Sequence, residues 1–493
     1  MSSWETIIGL EIHVQLLTKS KIFSSSSTAY GGSPNQQASY VDLGMPGTLP
    51  VLNKSVIKKA IEFGLAINGK ISKRSIFARK NYFYPDLPKN YQISQLDLPI
   101  VEGGFINITD NNGEQKKINI TRAHLEEDAG KSIHSEQNNC TFIDLNRAGT
   151  PLLEIVSEPE LNSAQEAVQY MKKIHNIVTY LKISDGNMQE GSFRCDANVS
   201  VRKKGANKLG TRTELKNINS FKFVEKAIKY EIQRQIDVIE DGKKIVQETR
   251  LYDENKDITK SMRSKEEAND YRYFPDPDLL PIEIDENYIN EIKNGLPELP
   301  DIKEEKYKKE YGFNNEQINI IISNSGITYF VDEILKISKI EPKKVVNYFI
   351  SSLYVMISKE NFVLDQNKAL AKDFCNIIEL IEDGVIPKNA LKKILDEMCK
   401  DKAQISNIIE KFSNKEQDEN LINKIIEDII SQNSKQVEEY KSGKTKILGF
   451  FVGQVLKSVK DVDPSYIKDQ ITKKLDSIWK KWNSVKSQIV FVW

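Results

Sequence analysis

Residues 8–16 alternate strictly between apolar and polar types. As a strand they carry Glu11, His13 and Gln15 on one face and Leu10, Ile12, Val14 and Leu16 on the other. A second segment, His124-Leu125-Glu126-Glu127-Asp128-Ala129-Gly130-Lys131, sets three consecutive carboxylates beside a histidine. Such a run repels itself unless a cation or several donors sit among the acids. Glu154 lies inside the apolar run Pro151-Leu152-Leu153-Glu154-Ile155-Val156. An ionised carboxylate there needs a metal or a partner such as Arg147, or it must take up a proton. These residue types suit a hard divalent cation in a carboxylate pocket. Mg²⁺ takes oxygen ligands, keeps several waters and commonly bridges carboxylates to nucleotide phosphates. Glu11, Glu126, Glu127 and Glu154 are then ligand candidates, with His13 either a ligand or a donor behind one. Zinc calls for Cys or several His, which are lacking here.

Other segments extend this chemistry. Residues 193–202 alternate without a break, placing Arg194, Asp196, Asn198, Ser200 and Arg202 on one face and Cys195 among the apolar residues of the other. Arg212-Thr213-Glu214-Leu215-Lys216 adds Glu214 between two cations. A face this polar is either solvated or lines a cleft, and its acids favour the cleft. Phosphate-binding cations are available in Arg79-Lys80, Lys89 and Arg147. The run Asn81-Tyr82-Phe83-Tyr84-Pro85 either stacks a base or a terminal adenosine, or packs as a strand in a core. His175 falls on an apolar helical stripe and reads as core, and nothing supports a role for His134. Two P-loop endings fail: Ala129-Gly130-Lys131-Ser132 has Leu125 where the first glycine belongs, and Gly443-Lys444-Thr445 has Glu438. Near the C-terminus a basic Gly turn with Lys444 and Lys446 runs into an apolar helix start that ends at Lys457, which suits phosphate binding. Gly449 and Gly453, four apart, suggest close helix packing.

The elements that position these groups follow from pattern. Residues 1–290 are strand-rich, interrupted by two helices. One starts at the capping box Ser163-Ala164-Gln165-Glu166 and buries Ala167, Val168, Met171, Ile174 and Val178. The other starts near Ser220, carries Phe221, Val224, Ile228, Ile232, Ile236 and Ile239, and stops at Gly242. Prolines at 275, 277, 281, 297 and 300 mark a boundary, after which Ile, Leu and Phe recur at helical spacing. A second boundary is expected near 405–420. The organisation is thus 1–290, 291–405 and 406–493, in an α+β chain whose N-terminal mixed domain holds an antiparallel sheet and is followed by an all-helical domain and a small helical tail. Net charge is zero, from 70 basic and 70 acidic residues, so overall charge names no partner. Residues 441–493, however, hold 11 Lys against 4 Asp, 11 − 4 = +7, which suits a polyanion. Four scattered Cys, no signal peptide and no membrane-length apolar run predict a soluble, cytoplasmic protein. The apolar end at 482–493 runs past the expected tail.

Long stretches of the chain together resemble the B subunit of the tRNA-dependent amidotransferase GatCAB. They include Ile8-Gly9-Leu10-Glu11-Ile12-His13, Asp42-Leu43-Gly44-Met45-Pro46-Gly47, Arg79-Lys80-Asn81-Tyr82-Phe83-Tyr84-Pro85-Asp86 and Asn146-Arg147-Ala148-Gly149-Thr150-Pro151. Gly191-Ser192-Phe193-Arg194-Cys195-Asp196, Glu214-Leu215-Lys216-Asn217 and Asp270-Tyr271-Arg272-Tyr273-Phe274-Pro275 continue the match. The resemblance implies a cradle domain with a kinase-like active site, ATP and Mg²⁺ as cofactors, and misacylated tRNA(Gln) or tRNA(Asn) as substrate. It implies metal ligands among Glu11, His13, Glu126 and Glu154, catalytic acids in Glu127, Glu190, Asp196 and Glu214, and nucleotide-binding cations in Arg79, Lys80 and Arg147. It also implies tRNA contacts at Lys444, Lys446 and Lys457. An amidase-family glutaminase A subunit and a small C subunit would complete a heterotrimer, because no glutaminase pattern occurs in this chain. The Cys pairs that bind zinc in some members are missing, so no zinc and no membrane are expected. Competing readings are a tRNA-binding scaffold without chemistry and a stand-alone metal-dependent hydrolase.

Overall fold

The structure is a computed structural model and describes residues 3–110, 113–135, 139–264, 271–360, 368–400, 419–442, 444–458 and 464–489. It divides into two compact units, Met1–Glu304 and Glu305–Trp493.

In the first unit the alternating segments join one ten-stranded sheet. Its principal strands are β1 (Trp4–Gln15), β2 (Gln115–Glu127), β3 (Pro151–Ser157), β4 (Phe193–Lys203), β5 (Thr213–Lys216), β6 (Glu248–Asp253) and β7 (Ile258–Ser264). They lie in the order β7-β6-β5-β4-β1-β3-β2, with short strands beyond β2. β1 therefore sits between β3 and β4, antiparallel to both. The β5–β6 pair is parallel. Parallel neighbours need a crossover, usually a helix, and residues 221–240 supply it.

Three helices matter here: α1 (Lys54–Ala66), α2 (Ala164–Tyr180) and α3 (Phe221–Glu240). Ser163 caps α2 by accepting from the Glu166 N–H. The Glu166 carboxylate accepts from the Asn162 N–H and pairs with Lys116. Ser220 caps α3, and Gly242, at φ +76°, ends it in the left-handed region that glycine enters without a Cβ penalty. The apolar sides of β1, β3 and β4 share one core with α2 and α3. Ile8, Ile12, Val14, Leu153, Ile155 and Val199 are all fully buried there, as are Ile174, Val178 and Val224. Burial of each such side chain stabilises by roughly 1.5–3 kcal/mol relative to exposure, which pins one face of the sheet and leaves the polar face to look away from the core.

The first unit extends beyond residue 290 because the helix Glu286–Gly295 belongs to the same core: Ile292 is buried in it, with Tyr288 and Ile289 packed alongside. The second unit has two cores, one built from residues 307–395 and another from residues 422–475. The expected second boundary falls largely in residues 401–418, outside those described, and so do residues 490–493. Among the described residues no helix is long and apolar enough to cross a membrane.

Candidate active site

Register places the polar residues in rows across the sheet. One row reads Arg194 (β4), His13 (β1), Glu154 (β3) and His124 (β2), each directly opposite the next. Glu126, two residues on from His124, shares its face. The result is a compact group. His13 Nε2 lies 3.4 Å from Glu154 Oε2 and 3.7 Å from Glu126 Oε1, while His124 Nε2 lies 3.3 Å from Glu154 Oε2. Burial pushes the His13 imidazole toward neutrality, but its hydrogen bond to Glu154 and the charges of Glu154, Glu126 and Asp196 lift it to about 9. Burial would also raise Glu154, yet His124 and His13 hold it well below the usual carboxylate range. Glu126 is raised, first by burial and then by the Glu154 charge.

The neighbouring row gives a second group. Glu11 stands opposite Asp196, and Asn198 stands opposite Glu214. Carboxylate oxygens of Glu11, Asp196 and Glu214 lie within 4.8 Å of one another. Lys216 pairs with Asp196 and sits 3.3 Å from Glu214. The Asn198 amide donates to Glu11 at 2.9 Å, and Thr249 donates to Glu214 at 2.7 Å. Glu11 is raised by burial, with Glu154, Asp196 and Glu214 adding to it.

Both groups are chemically able to hold a divalent cation. His124 Nδ1 and Asn198 Oδ1 are buried with no hydrogen-bond partner among the described residues, and buried polar atoms are rarely left so. The Glu11–Asp196–Glu214 group offers only hard oxygen donors, the set Mg²⁺ takes. The His13–Glu126–Glu154 group mixes imidazole with carboxylate and discriminates less among metals. The metal ligands expected from sequence thus divide between two groups, with Glu11 in one and His13, Glu126 and Glu154 in the other.

The run Glu126-Glu127-Asp128 does not stay together: alternation sets Glu126 and Glu127 on opposite faces, and Asp128 lies just past the end of β2. Glu126 joins the histidines. Glu127 turns away from both groups, pairs with Lys89 and accepts the Ile93 N–H, so its role as a catalytic acid is not supported by placement. Asp128 accepts from Gln15 and Arg194, and the Arg194 and Arg147 charges hold its pKa down against burial. Glu190 lies apart, in a loop that lines a cavity of about 1030 Å³ together with Arg147, Lys131 and Gln15. Arg147 also donates to the Ala129 and Gly130 carbonyls.

Of the nucleotide-binding candidates, Arg79 is engaged by Asp276 and Asp278. Lys80 points to the acidic face. Burial works against its charge, but Glu126 and other neighbours outweigh that and raise its pKa. Strand pairing stops at Asn81, and Phe83 and Tyr84 are 70% and 53% exposed, so they are not a core strand. Cys195 is buried, and burial keeps its thiol protonated. His175 packs edge-on against Phe193 and Phe221. His134 sits exposed on the hairpin Lys131–Ser135/Cys140–Asp144.

In the second unit Lys444, Lys446 and Lys457 are exposed beside the helix Leu448–Ser458, and Lys444 pairs with Glu439. The close packing expected at Gly449 and Gly453 is absent: among the described residues nothing lies within 4 Å of where a Cβ would stand.

Sequence reasoning assigned no role to His124, Asn198 or Lys216. The parity of His124 with Glu126 was the available signal for the first. Parity within β5 already sets Lys216 beside Glu214; its pairing with Asp196, and the bond of Asn198 to Glu11, needed the placement of β4 between β1 and β5.

Comparison with known proteins bears directly on this face of the sheet. Residues 6–290 match a family model described as the GatB/GatE catalytic domain, and residues 329–475 match one described as a GatB domain. A protein of Alkalilimnicola ehrlichii, named as the B subunit of an aspartyl/glutamyl-tRNA(Asn/Gln) amidotransferase, is 53% identical over 476 residues, 96% of this chain and 100% of that protein. Proteins of the same name from Thioalkalivibrio sulfidiphilus and Coxiella burnetii are 52% and 50% identical, each over 96% of this chain and 99–100% of their own length.

Proposed function

This chain belongs to the GatB family of amidotransferase subunits, and from that premise we propose that it activates the side-chain carboxylate of Glu-tRNA(Gln), Asp-tRNA(Asn) or both for conversion to the amide. The observation that carries this is the pair of acidic groups on one face of one sheet, within the matched catalytic domain. A carboxylate is a poor electrophile. Its oxygen attacks the γ-phosphorus of ATP, ADP leaves, and the acyl phosphate is a good electrophile. Ammonia then attacks the acyl carbon, orthophosphate departs and the nitrogen gives up a proton. Mg²⁺, held by Glu11, Asp196 and Glu214, would neutralise charge on the transferring phosphoryl group.

The chain's own residues do the rest. Lys80 presents a cation to the same face as the acids. Glu126 has a raised pKa beside two imidazoles, so it is set to accept the proton that the nitrogen loses. His13 and His124 hold Glu154 ionised and fix its carboxylate in the middle of the row. Ammonia comes from a partner A subunit of the amidase-family glutaminase type, held with a small C subunit in a cytoplasmic heterotrimer. The basic tail, with Lys444, Lys446 and Lys457, binds the tRNA backbone.

The test uses the complex reconstituted with its partner subunits. Glu11→Ala and Glu126→Ala are each expected to lower ATP-dependent amide formation by at least about 100-fold, since loss of groups even one shell further from a metal costs about 10–100-fold. Full amide formation by both variants would leave only a tRNA-binding scaffold. Brisk hydrolysis of esters or phosphates by the isolated chain with metal alone would point to a hydrolase instead.

A further inference from the structure

Four tyrosine rings form a continuous wall at the rim of the acidic face. Tyr273 meets Tyr271 at 6.2 Å between ring centroids, Tyr271 meets Tyr82 at 6.0 Å, and Tyr82 meets Tyr84 at 6.4 Å, all edge to face. Lys80 joins this wall to the acids. Its Nζ lies 4.9 Å from the Tyr271 ring centre and 5.8 Å from that of Tyr82, and its charge is supported by Glu126 and Glu154. At the other end Tyr84 stands out into solvent, and so does Phe83, its neighbour in sequence.

The backbone under these exposed rings is fixed. The Asn81 N–H donates to the Tyr271 carbonyl, and the Asn81 side chain donates to the Tyr271 and Arg272 carbonyls. The Leu87 N–H closes a turn on the Tyr84 carbonyl, and the Gly130 N–H holds the Asp86 carbonyl. Aromatic rings held outward by a pinned backbone are available to a ligand without rearrangement. Aromatic rings beside a cation are the usual platform for unpaired nucleobases.

We propose that this wall, ending in Tyr84 and Phe83, seats the terminal adenine base of the aminoacyl-tRNA. The seat presupposes the aminoacyl-tRNA substrate proposed above. Exposure selects this base over the adenine of ATP: the terminal adenosine carries the rest of the tRNA on its 5′-phosphate, so its seat must open to solvent, as Tyr84 and Phe83 do. A side chain, an ester and a ribose separate the reacting carboxylate from the terminal base, so the base lies at that remove from the acids rather than against them. Lys80 stands over the two middle rings, Tyr271 and Tyr82, and the inner end of the wall, Tyr273, is within reach of the charges of Glu126 and Glu154.

The reconstituted complex tests this through a Phe83→Ala/Tyr84→Ala double variant, with KM measured separately for aminoacyl-tRNA and for ATP. Stacking on one aromatic ring makes roughly a 5- to 100-fold difference in binding. KM for aminoacyl-tRNA should therefore rise by about that factor, with KM for ATP and kcat little changed. A Phe83→Tyr/Tyr84→Phe variant, which keeps both rings, should restore it. A rise in KM for ATP alone would give the wall to the nucleotide and overturn the proposal. So would an unchanged KM for both substrates. Full activity in the double variant removes the seat but leaves the reaction intact, whereas a wild-type complex that forms no amide with ATP takes both down.

Discussion

The two acidic groups share a face of one sheet but are neutralised differently. Around Glu126 and Glu154 the counter-charge is the His13 imidazolium, which can lose a proton, with the His124 ring beside it. Around Asp196 and Glu214 the counter-charge is the ammonium of Lys216, raised well above its usual pKa because Asp196 and Glu214 outweigh the cost of burial. A cation entering the first group must displace protons, so its affinity should fall as pH falls. A cation entering the second must displace or share with a fixed ammonium, and pH near neutrality should matter little. One group is tuned by protons, the other by geometry.

The largest effect should appear in the first group. The His13 imidazole is raised from 6.5 to about 9 in the fold. Its contribution is therefore fully present below about pH 6.5 and is lost as pH rises through about 9. The shift of 9 − 6.5 = 2.5 units corresponds to on the order of 3 kcal/mol as a ceiling. Urea unfolding of the metal-free protein should show His13→Asn less stable than the parent at pH 6, with the gap closing by pH 10. An equal gap at both ends would mean that His13 is neutral in the fold, and the contrast between the groups would collapse.

A smaller effect is expected in the second group. Lys216→Met keeps most of the aliphatic stem but leaves Asp196 and Glu214 without their ammonium. The lysine is 34% exposed, which discounts the penalty to about 1–2 kcal/mol. Mg²⁺ should recover that loss and stabilise the variant more than the parent, because the ion takes the place the ammonium held. Thermal melts with and without Mg²⁺ read this directly. If Mg²⁺ stabilises both proteins equally, Lys216 and the ion do not compete for one place.

This contrast was partly legible in the sequence. Period-two alternation set Glu11 and His13 on one face and Cys195 on the other, because side-chain direction in a strand is local. Alternation also separates Glu126 from Glu127, yet a run of three acids reads as one group until the strand's course is known. What no local pattern gives is which strands are neighbours. β1 lies between β3 and β4, more than a hundred residues away in sequence, and only that pairing sets Glu154 opposite His13 and Asp196 opposite Glu11. Helix α3 shows the same limit. Its isoleucines at 232, 236 and 239 look like a core stripe, and Ile232 does pack against the core, but the fully buried positions of that half are Glu231 and Gln235. Glu231 is satisfied there by Arg234 on its own helix and by Thr213, Thr259 and Arg250, and those last three are partners that the sheet delivers and the helix pattern cannot show.

The tail lysines bound the comparison from the exposed side. Lys444 and Lys446 are open to solvent, and the contact of Lys444 with Glu439 at 3.4 Å joins two exposed side chains. Exposed charge is screened by salt, whereas charge inside the acidic face is screened much less. If each lysine meets one tRNA phosphate, Lys444→Ala and Lys446→Ala should each weaken binding similarly for every tRNA the complex uses. Each should also flatten the dependence of log affinity on log salt by up to about one unit. Substitutions at Glu11 or Glu126 should leave that slope unchanged while abolishing amide formation. A salt titration of tRNA binding separates the two kinds of charge. Unchanged slopes in both lysine variants would take the tail out of the tRNA contact and leave recognition to the sheet and its aromatic rim.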